Sequence, residues 1–326
     1  MFGKLISSLL IIFIGLISGY IVQILVQRNI LRLPFGLEKI RKYLQKFSIF
    51  FFITVIYIGV YWSMDFHQLK LFLFPLLGIF NLFLGGGIAV LVAGLTHMND
   101  KDTGSFFCCG FFTNYVGTGG LICFLFLGEG GYALLPIYTF FIRIAYYMVG
   151  FPVAKYYSIK GNQQNQKAFN FKLIMKDSFV LFALAAVIIG LSLNASGIER
   201  PAIYTPLISF FIPAHTIILL FSIGLSMKFN KIRKYLKAAL LISGIKYLIV
   251  PLTMVSIGFL LGYQHINDGL PLKVILILSS GPVAFHSLIP PSQYELNLDL
   301  ANSCWIITTF SLVLLIPVIS FLIHLI

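Results

Sequence analysis

Ten apolar stretches recur along the chain, at about residues 5–26, 48–63, 70–96, 104–127, 132–154, 178–195, 202–227, 238–262, 273–292 and 302–325. A helix needs about 20 apolar residues to cross the hydrocarbon of a bilayer. Most of these stretches meet that length, and the one at 48–63 is short. Backbone polar groups inside lipid must pair within their own segment, so runs of this kind predict helices. Only 10% of the 326 residues are charged and 59% are hydrophobic, against about 25% charged in soluble domains. A surface this poor in charge suits lipid and not water. The expected class is therefore an all-α integral membrane protein with about ten transmembrane helices and no soluble domain. The first run is too long for a signal-peptide core and lacks a small-residue cleavage site, so it reads as a retained helix.

The net charge of +13 invites a nucleic-acid reading, which the placement of the cations excludes. They cluster in short segments between apolar runs. One cluster holds Arg28, Arg32, Lys39, Arg41, Lys42 and Lys46. A second holds Lys155, Lys160, Lys167, Lys172 and Lys176, and a third Lys228, Lys231, Arg233, Lys234 and Lys237. With Lys101 these make seventeen cations on one side of the membrane, against Lys4, Lys70, Arg200 and Lys273 on the other. Cytoplasmic loops carry the excess of Lys and Arg. The loops after helices 1, 3, 5, 7 and 9 are thus expected in the cytoplasm and both termini outside.

The longest polar stretch, 158–177, divides the chain into 1–157 and 178–326, each with five expected spans. An odd number of spans per half places the halves in opposite orientations, as an inverted repeat requires. Carriers built this way bind substrate where helices break near the middle of the membrane. The fourth expected span of each half carries such a signal. The first reads Phe111-Phe-Thr-Asn-Tyr-Val-Gly-Thr-Gly-Gly120, with Asn114, Gly117, Gly119 and Gly120 inside a span. The second reads Ser279-Ser-Gly-Pro-Val-Ala-Phe-His-Ser287, followed by Pro290 and Pro291. Pro282 in mid-span removes a donor and clashes with the preceding turn. Gly85-Gly-Gly87 in the third span reads instead as close helix packing.

The segment from Asn114 to Leu127-Gly128-Glu129-Gly130-Gly131-Tyr132-Ala133-Leu134 resembles helix 4 and the following turn of the PIN-like auxin efflux carrier family, of the bile/arsenite/riboflavin transporter superfamily. Pro282-Val-Ala-Phe-His-Ser-Leu-Ile-Pro-Pro-Ser-Gln-Tyr294 resembles that family's helix 9, and Gly224-Leu-Ser226 and Lys246 before Pro251 match its habits. The resemblance follows nearly the whole chain in span order, through short motifs. It implies a five-plus-five inverted repeat with crossed, broken helices 4 and 9, and the transport of small organic anions such as auxin-like acids and dicarboxylates. Val116 stands where that family has Gly, no Pro follows Gly119, and His286 occupies a position often given to Asn. The substrate is therefore not carried over.

All ten acids (Glu38, Asp65, Asp100, Asp102, Glu129, Asp177, Glu199, Asp268, Glu295 and Asp299) fall in loops or at span ends. A cation or proton antiporter usually needs one within a span. Two cations do lie within spans, Arg143 and Lys246. Each costs about 2.5 to 3.5 kcal/mol at a helix centre unless it faces water or an anion. Both are candidates for attracting an anion, with snorkelling or carbonyl pairing as the alternative. His286 could bind substrate or shuttle a proton, or serve only as a helix contact. His67, His97, His215, His265 and His324 read as peripheral or isolated. The cysteines (Cys108, Cys109, Cys123 and Cys304) read as small core residues, with no metal or disulfide spacing. Nothing resembles a nucleophile–base pair or a phosphate loop, so no enzyme and no cofactor is expected.

Together these features point to a secondary-active permease of a small organic anion, working by alternating access. A bundle with helices 4 and 9 is expected to move against a scaffold with helices 1, 2, 6 and 7. Thr113, Asn114, Gly117, Thr118, Gly119, Ser280, Pro282, His286, Ser287, Lys246 and Arg143 are the expected substrate contacts. Broken-helix N–H groups are expected to face the carboxylate. Alternatives are a sodium-coupled symporter of the bile acid type and a non-transporting membrane sensor. The lipid bilayer is the expected surrounding, in a bacterial inner membrane. Coupling to H+ or Na+, transport direction and assembly as a homodimer stay open.

Overall fold

The computed structural model describes residues 2–63, 72–161, 178–227, 229 and 231–326. The polar linker expected at 158–177 lies outside the described residues from 162 onward, as do Asp65, Lys70, Asp177 and Lys228. Every regular element among the described residues is helical; the only β pairing is an isolated bridge between Thr113 and Val283. Among the described residues, six helices are long and apolar enough to cross a membrane: Gly3–Gln27, Leu37–Trp62, Phe74–Leu95, Tyr115–Lys160, Tyr204–Gly224 and Leu236–Leu260. A seventh span counts if Leu298–Phe310 and Leu312–Leu325, bent by 49° at their junction, are taken together.

Three local causes separate this count from the ten expected runs. Tyr115–Lys160 is one 46-residue helical run, although Gly128 (φ 73°, ψ −162°) kinks it. That positive φ falls where the sequence separates its fourth and fifth spans, a conformation glycine adopts without strain. The run expected at 273–292 is helical only over Leu270–Ser279 and again, briefly, over Ile289–Gln293. In Ser178–Ala195 the described apolar portion is the shorter Ala185–Ala195.

The run expected to begin at 48 also differs. Its helix starts at Leu37, as α2 (Leu37–Phe47), and continues through a π-helical turn, Ser48–Ile53, into α3 (Thr54–Trp62). Lys39, Arg41, Lys42 and Lys46 therefore sit on the first turns of a membrane-length helix and not in a loop. Lys42 pairs with Glu38 at 2.8 Å, one turn away on that same surface.

The described residues form two compact units that interleave along the chain. The first draws on Met1–Leu69, Val116–Ala133 and Lys176–Met227. In it α1 (Phe2–Gln27) packs on the Tyr204–Gly224 helix, and α3 packs on Ser178–Ala195. His215 is not isolated there: it is 1% exposed, and its Nδ1 shares a 2.7 Å hydrogen bond with the hydroxyl of Ser48. Arg200 pairs with Glu129 at 2.5 Å and also donates to the Gly59 carbonyl (3.1 Å) and Thr205 Oγ1 (3.0 Å).

The second unit draws on Lys70–Tyr115, Leu134–Met175 and Lys228–Ile326. Here α4 (Phe74–Leu95) lies against α5 (Asp100–Phe111). Gly85 and Gly110 make that approach: a methyl group on either would press against the other's carbonyl oxygen, whereas Gly87 faces open space. The packing expected of the Gly85–Gly87 run thus holds for Gly85, and Phe107 and Phe111 close over Gly86.

Candidate functional site

The second unit contains a crossing of two interrupted helices. Helix α5 starts with Asn99 as its cap, the side chain accepting from the Asp102 N–H at 2.9 Å. Asp100 and Asp102 occupy its first turn, where the helix dipole favours negative charge. It ends at Phe112, whose φ −85° and ψ 118° are extended. The opposing helix, Leu270–Ser279, ends at Ser280. Pro282 has no N–H and disfavours a helical conformation at Gly281, so the chain leaves the helix there. Two carbonyl-rich helix ends and two extended segments are left in a buried place. Thr113, Ser280 and Val283 are each less than 5% exposed.

Each extended segment satisfies the other. Asn114 N–H donates to the Pro282 carbonyl (2.9 Å), and Ala284 N–H donates to the Phe112 carbonyl (3.1 Å). Val283 N–H donates to Thr308 Oγ1 at 3.2 Å. The Thr113 N–H donates to the Tyr146 hydroxyl (3.3 Å), which in turn donates to the Thr113 carbonyl (3.2 Å). Buried backbone donors are almost always paired, and here the protein pairs them itself. The N–H groups of Thr113, Asn114, Val283 and Ala284 are thus all used within the protein.

Lys246 supplies the charge. It sits in a π-helical turn, Ile245–Ile249, inside the Leu236–Leu260 helix. A π turn carries one extra residue and often marks a functional position in a helix. The side chain is 2% exposed, and its Nζ donates to Thr113 Oγ1 at 2.6 Å. No acid among the described residues pairs with it. The end of α5 is one residue before Thr113, and helix C-termini favour cations.

Of the expected contacts, Thr113, Asn114, Pro282 and Lys246 meet directly at this crossing, with Ser280 buried beside the break. Asn114 is half-buried. Ser287 follows in the short 3₁₀ turn Phe285–Leu288, fully buried, its hydroxyl without a hydrogen-bond partner among the described residues. His286 in the same turn is exposed. Arg143, half-buried, precedes Tyr146 by one turn and is near enough to His286 to act on it electrostatically. Gly117, Thr118 and Gly119 lie in the π-helical turn Tyr115–Gly119 and group with the first unit. The site is built from second-unit residues alone.

Four contributors are not among the residues singled out from the sequence. Tyr146 and Thr308 hold the two breaks, and Asn81 Nδ2 donates to the Tyr115 hydroxyl at 2.6 Å. Tyr247 donates to the Thr308 carbonyl and fixes that residue from a second side. Asn81 carried a usable signal, a lone amide in the middle of a 22-residue apolar helix. Tyrosine and threonine are too common in membrane helices to stand out.

No family model matches the chain. It is 26% identical over 147 residues to a protein of Methanothermobacter thermautotrophicus described as an uncharacterized transporter. That alignment covers 45% of this chain and 47% of the relative, so the chain spans about half the length of the relative it matches. The chain thus combines apolar helices of membrane-crossing length with a partial likeness to that uncharacterized transporter.

Proposed function

We propose that this protein is a secondary-active carrier of a small organic anion, working by alternating access, with the substrate carboxylate bound at the crossing in the second unit. The observation that carries this reading is Lys246, a buried cation held at the end of a broken helix by Thr113. The charged form of a buried lysine is costly unless paired, and a substrate carboxylate supplies the partner for that form. Thr113 reaches Lys246 directly, Asn114, Ser280 and Ser287 offer amide and hydroxyl groups at the two breaks, and His286 and Arg143 form a second polar point.

The finer architecture we propose is ten helices in a five-plus-five inverted repeat of the PIN-like type. It is supported by a repeated order in the second unit. Each half has a long apolar helix, Phe74–Leu95 or Leu236–Leu260, followed by a short one, Asp100–Phe111 or Leu270–Ser279, that stops at a break. The cation clusters support a cell-membrane location with both termini outside.

The test is flux into proteoliposomes of malonate, malate and indole-3-acetate, with and without sodium or a pH gradient. Uptake of at least one of these without sodium agrees with the proposal. Strict sodium dependence would favour a bile-acid-type symporter. Binding without flux would favour a sensor.

A further inference from the structure

Resting on that reading of the site, we propose that Lys246 couples the anion to a proton: one proton enters the site with each carboxylate, held as the ammonium of Lys246. The geometry is a buried side-chain nitrogen with up to three N–H groups and one hydrogen-bond acceptor, Thr113 Oγ1 at 2.6 Å. A lysine is a compact charge that can lose its proton when buried, as an arginine cannot. With no anion present, the neutral amine satisfies itself with the threonine hydroxyl and avoids an unpaired buried charge. With a carboxylate present, the ammonium pairs with it. Proton and anion therefore favour each other's binding, and by linkage the effect is reciprocal.

Nothing packed around Lys246 does this work in its place. The Phe74–Leu95 helix and Val250–Leu260 hold no titratable side chain, and Lys237 on Leu236–Gly244 is exposed, two turns away. On α5 the group near enough to act electrostatically on Lys246 is the Cys109 thiol, whose neighbour is Cys304. Tyr146 reaches Thr113 as a neutral hydroxyl bonded to its backbone. Arg143 and His286 act on each other electrostatically, away from Lys246 itself. No carboxylate among the described residues is paired with Lys246.

The amine takes one proton from water on the side from which the site is open and the ammonium pairs with the carboxylate; on the other side the ammonium returns its proton to water as the anion leaves, which restores the amine. A monocarboxylate then crosses without net charge.

Isothermal titration calorimetry on the purified wild-type protein decides it, using malonate, malate and indole-3-acetate in two buffers of different ionisation enthalpy. The proposal expects about one proton taken up per carboxylate at alkaline pH, with affinity falling about tenfold per pH unit there. Lys246→Arg, whose charge is permanent, should flatten that slope. Thr113→Val, which removes the acceptor for the ammonium, should move the fall to lower pH. Binding of any of the three without proton uptake overturns the coupling and leaves the anion-carrier reading in place. A slope that persists in Lys246→Arg, with no move in Thr113→Val, assigns the proton elsewhere and also overturns it. No binding of any of the three at any pH overturns the carrier reading and the coupling with it.

Discussion

Thr113 and Val283 face each other as an antiparallel bridge, the one β pairing among the described residues of a helical protein. Two helices that stop inside a membrane leave donors and acceptors that lipid cannot satisfy. Pairing one break with the other solves both problems at once. The same pairing fixes Thr113 Oγ1 where Lys246 reaches it, so the structural solution also positions the charge.

Thr308 is expected to be a stability hub for this crossing. Its hydroxyl accepts from the Val283 N–H at 3.2 Å and donates back to the Cys304 carbonyl at 2.8 Å. Thr308→Val leaves a buried N–H without a partner, which costs about 1–3 kcal/mol. Thermal unfolding in detergent should show a lowered midpoint. The loss should be non-additive with Tyr247→Phe, because Tyr247 holds the same residue.

Gly110→Val should disrupt the α4–α5 contact, since even a methyl group there meets the Gly85 carbonyl. Overpacking of this kind costs about 1–3 kcal/mol or more. Gly87→Ala, on open space, should be neutral or slightly stabilising. Size-exclusion profiles of the two variants after mild heating provide the comparison.

The fold was partly legible in the sequence, and the reasons differ by element. Apolar length located six or seven helices able to cross a membrane among the described residues, and Pro282 located one break because proline acts through its own covalent geometry. The break near Thr113 was legible only as a polar, glycine-bearing stretch. Its extended backbone comes from pairing with a segment about 170 residues away in sequence, between Thr113 and Val283, a partner that no local pattern names. Nor does a local pattern name the partners of the backbone donors there: the opposite break for Asn114 and Ala284, Tyr146 for Thr113 and Thr308 for Val283. The start of the second helix was placed late because α2 is amphipathic and rich in lysine. An apolar-run criterion reads such a helix as a loop.

Arg200 should resist replacement by lysine. It serves Glu129, the Gly59 carbonyl and Thr205 together, which a guanidinium can span and a single ammonium cannot. Arg200→Lys and Arg200→Ala are both expected to lower stability, by about 1–3 kcal/mol for the alanine. Glu129→Gln should cost less than Arg200→Ala, because the two neutral acceptors keep their donor. Unfolding midpoints of the three variants rank the contributions.

His286→Ala should separate stability from transport. The residue is exposed and takes no part in the side-chain bonds that hold the breaks, so its loss should change unfolding by no more than about 0.5 kcal/mol. If it helps hold the anion beside Arg143, uptake should fall several-fold with the unfolding midpoint unchanged. Unaltered uptake would remove His286 from the site and leave Lys246 as its centre.

The most direct measurement of that centre is exchange of radiolabelled malonate, malate and indole-3-acetate across proteoliposomes carrying wild-type protein or Lys246→Gln. Loss of a charge-assisted contact of about 1.5–3 kcal/mol predicts roughly a tenfold to hundredfold fall in apparent affinity, for at least one acid that the wild type exchanges. Equal exchange by correctly folded wild-type and Lys246→Gln protein would contradict the assignment of the buried cation as the group that recognises the anion.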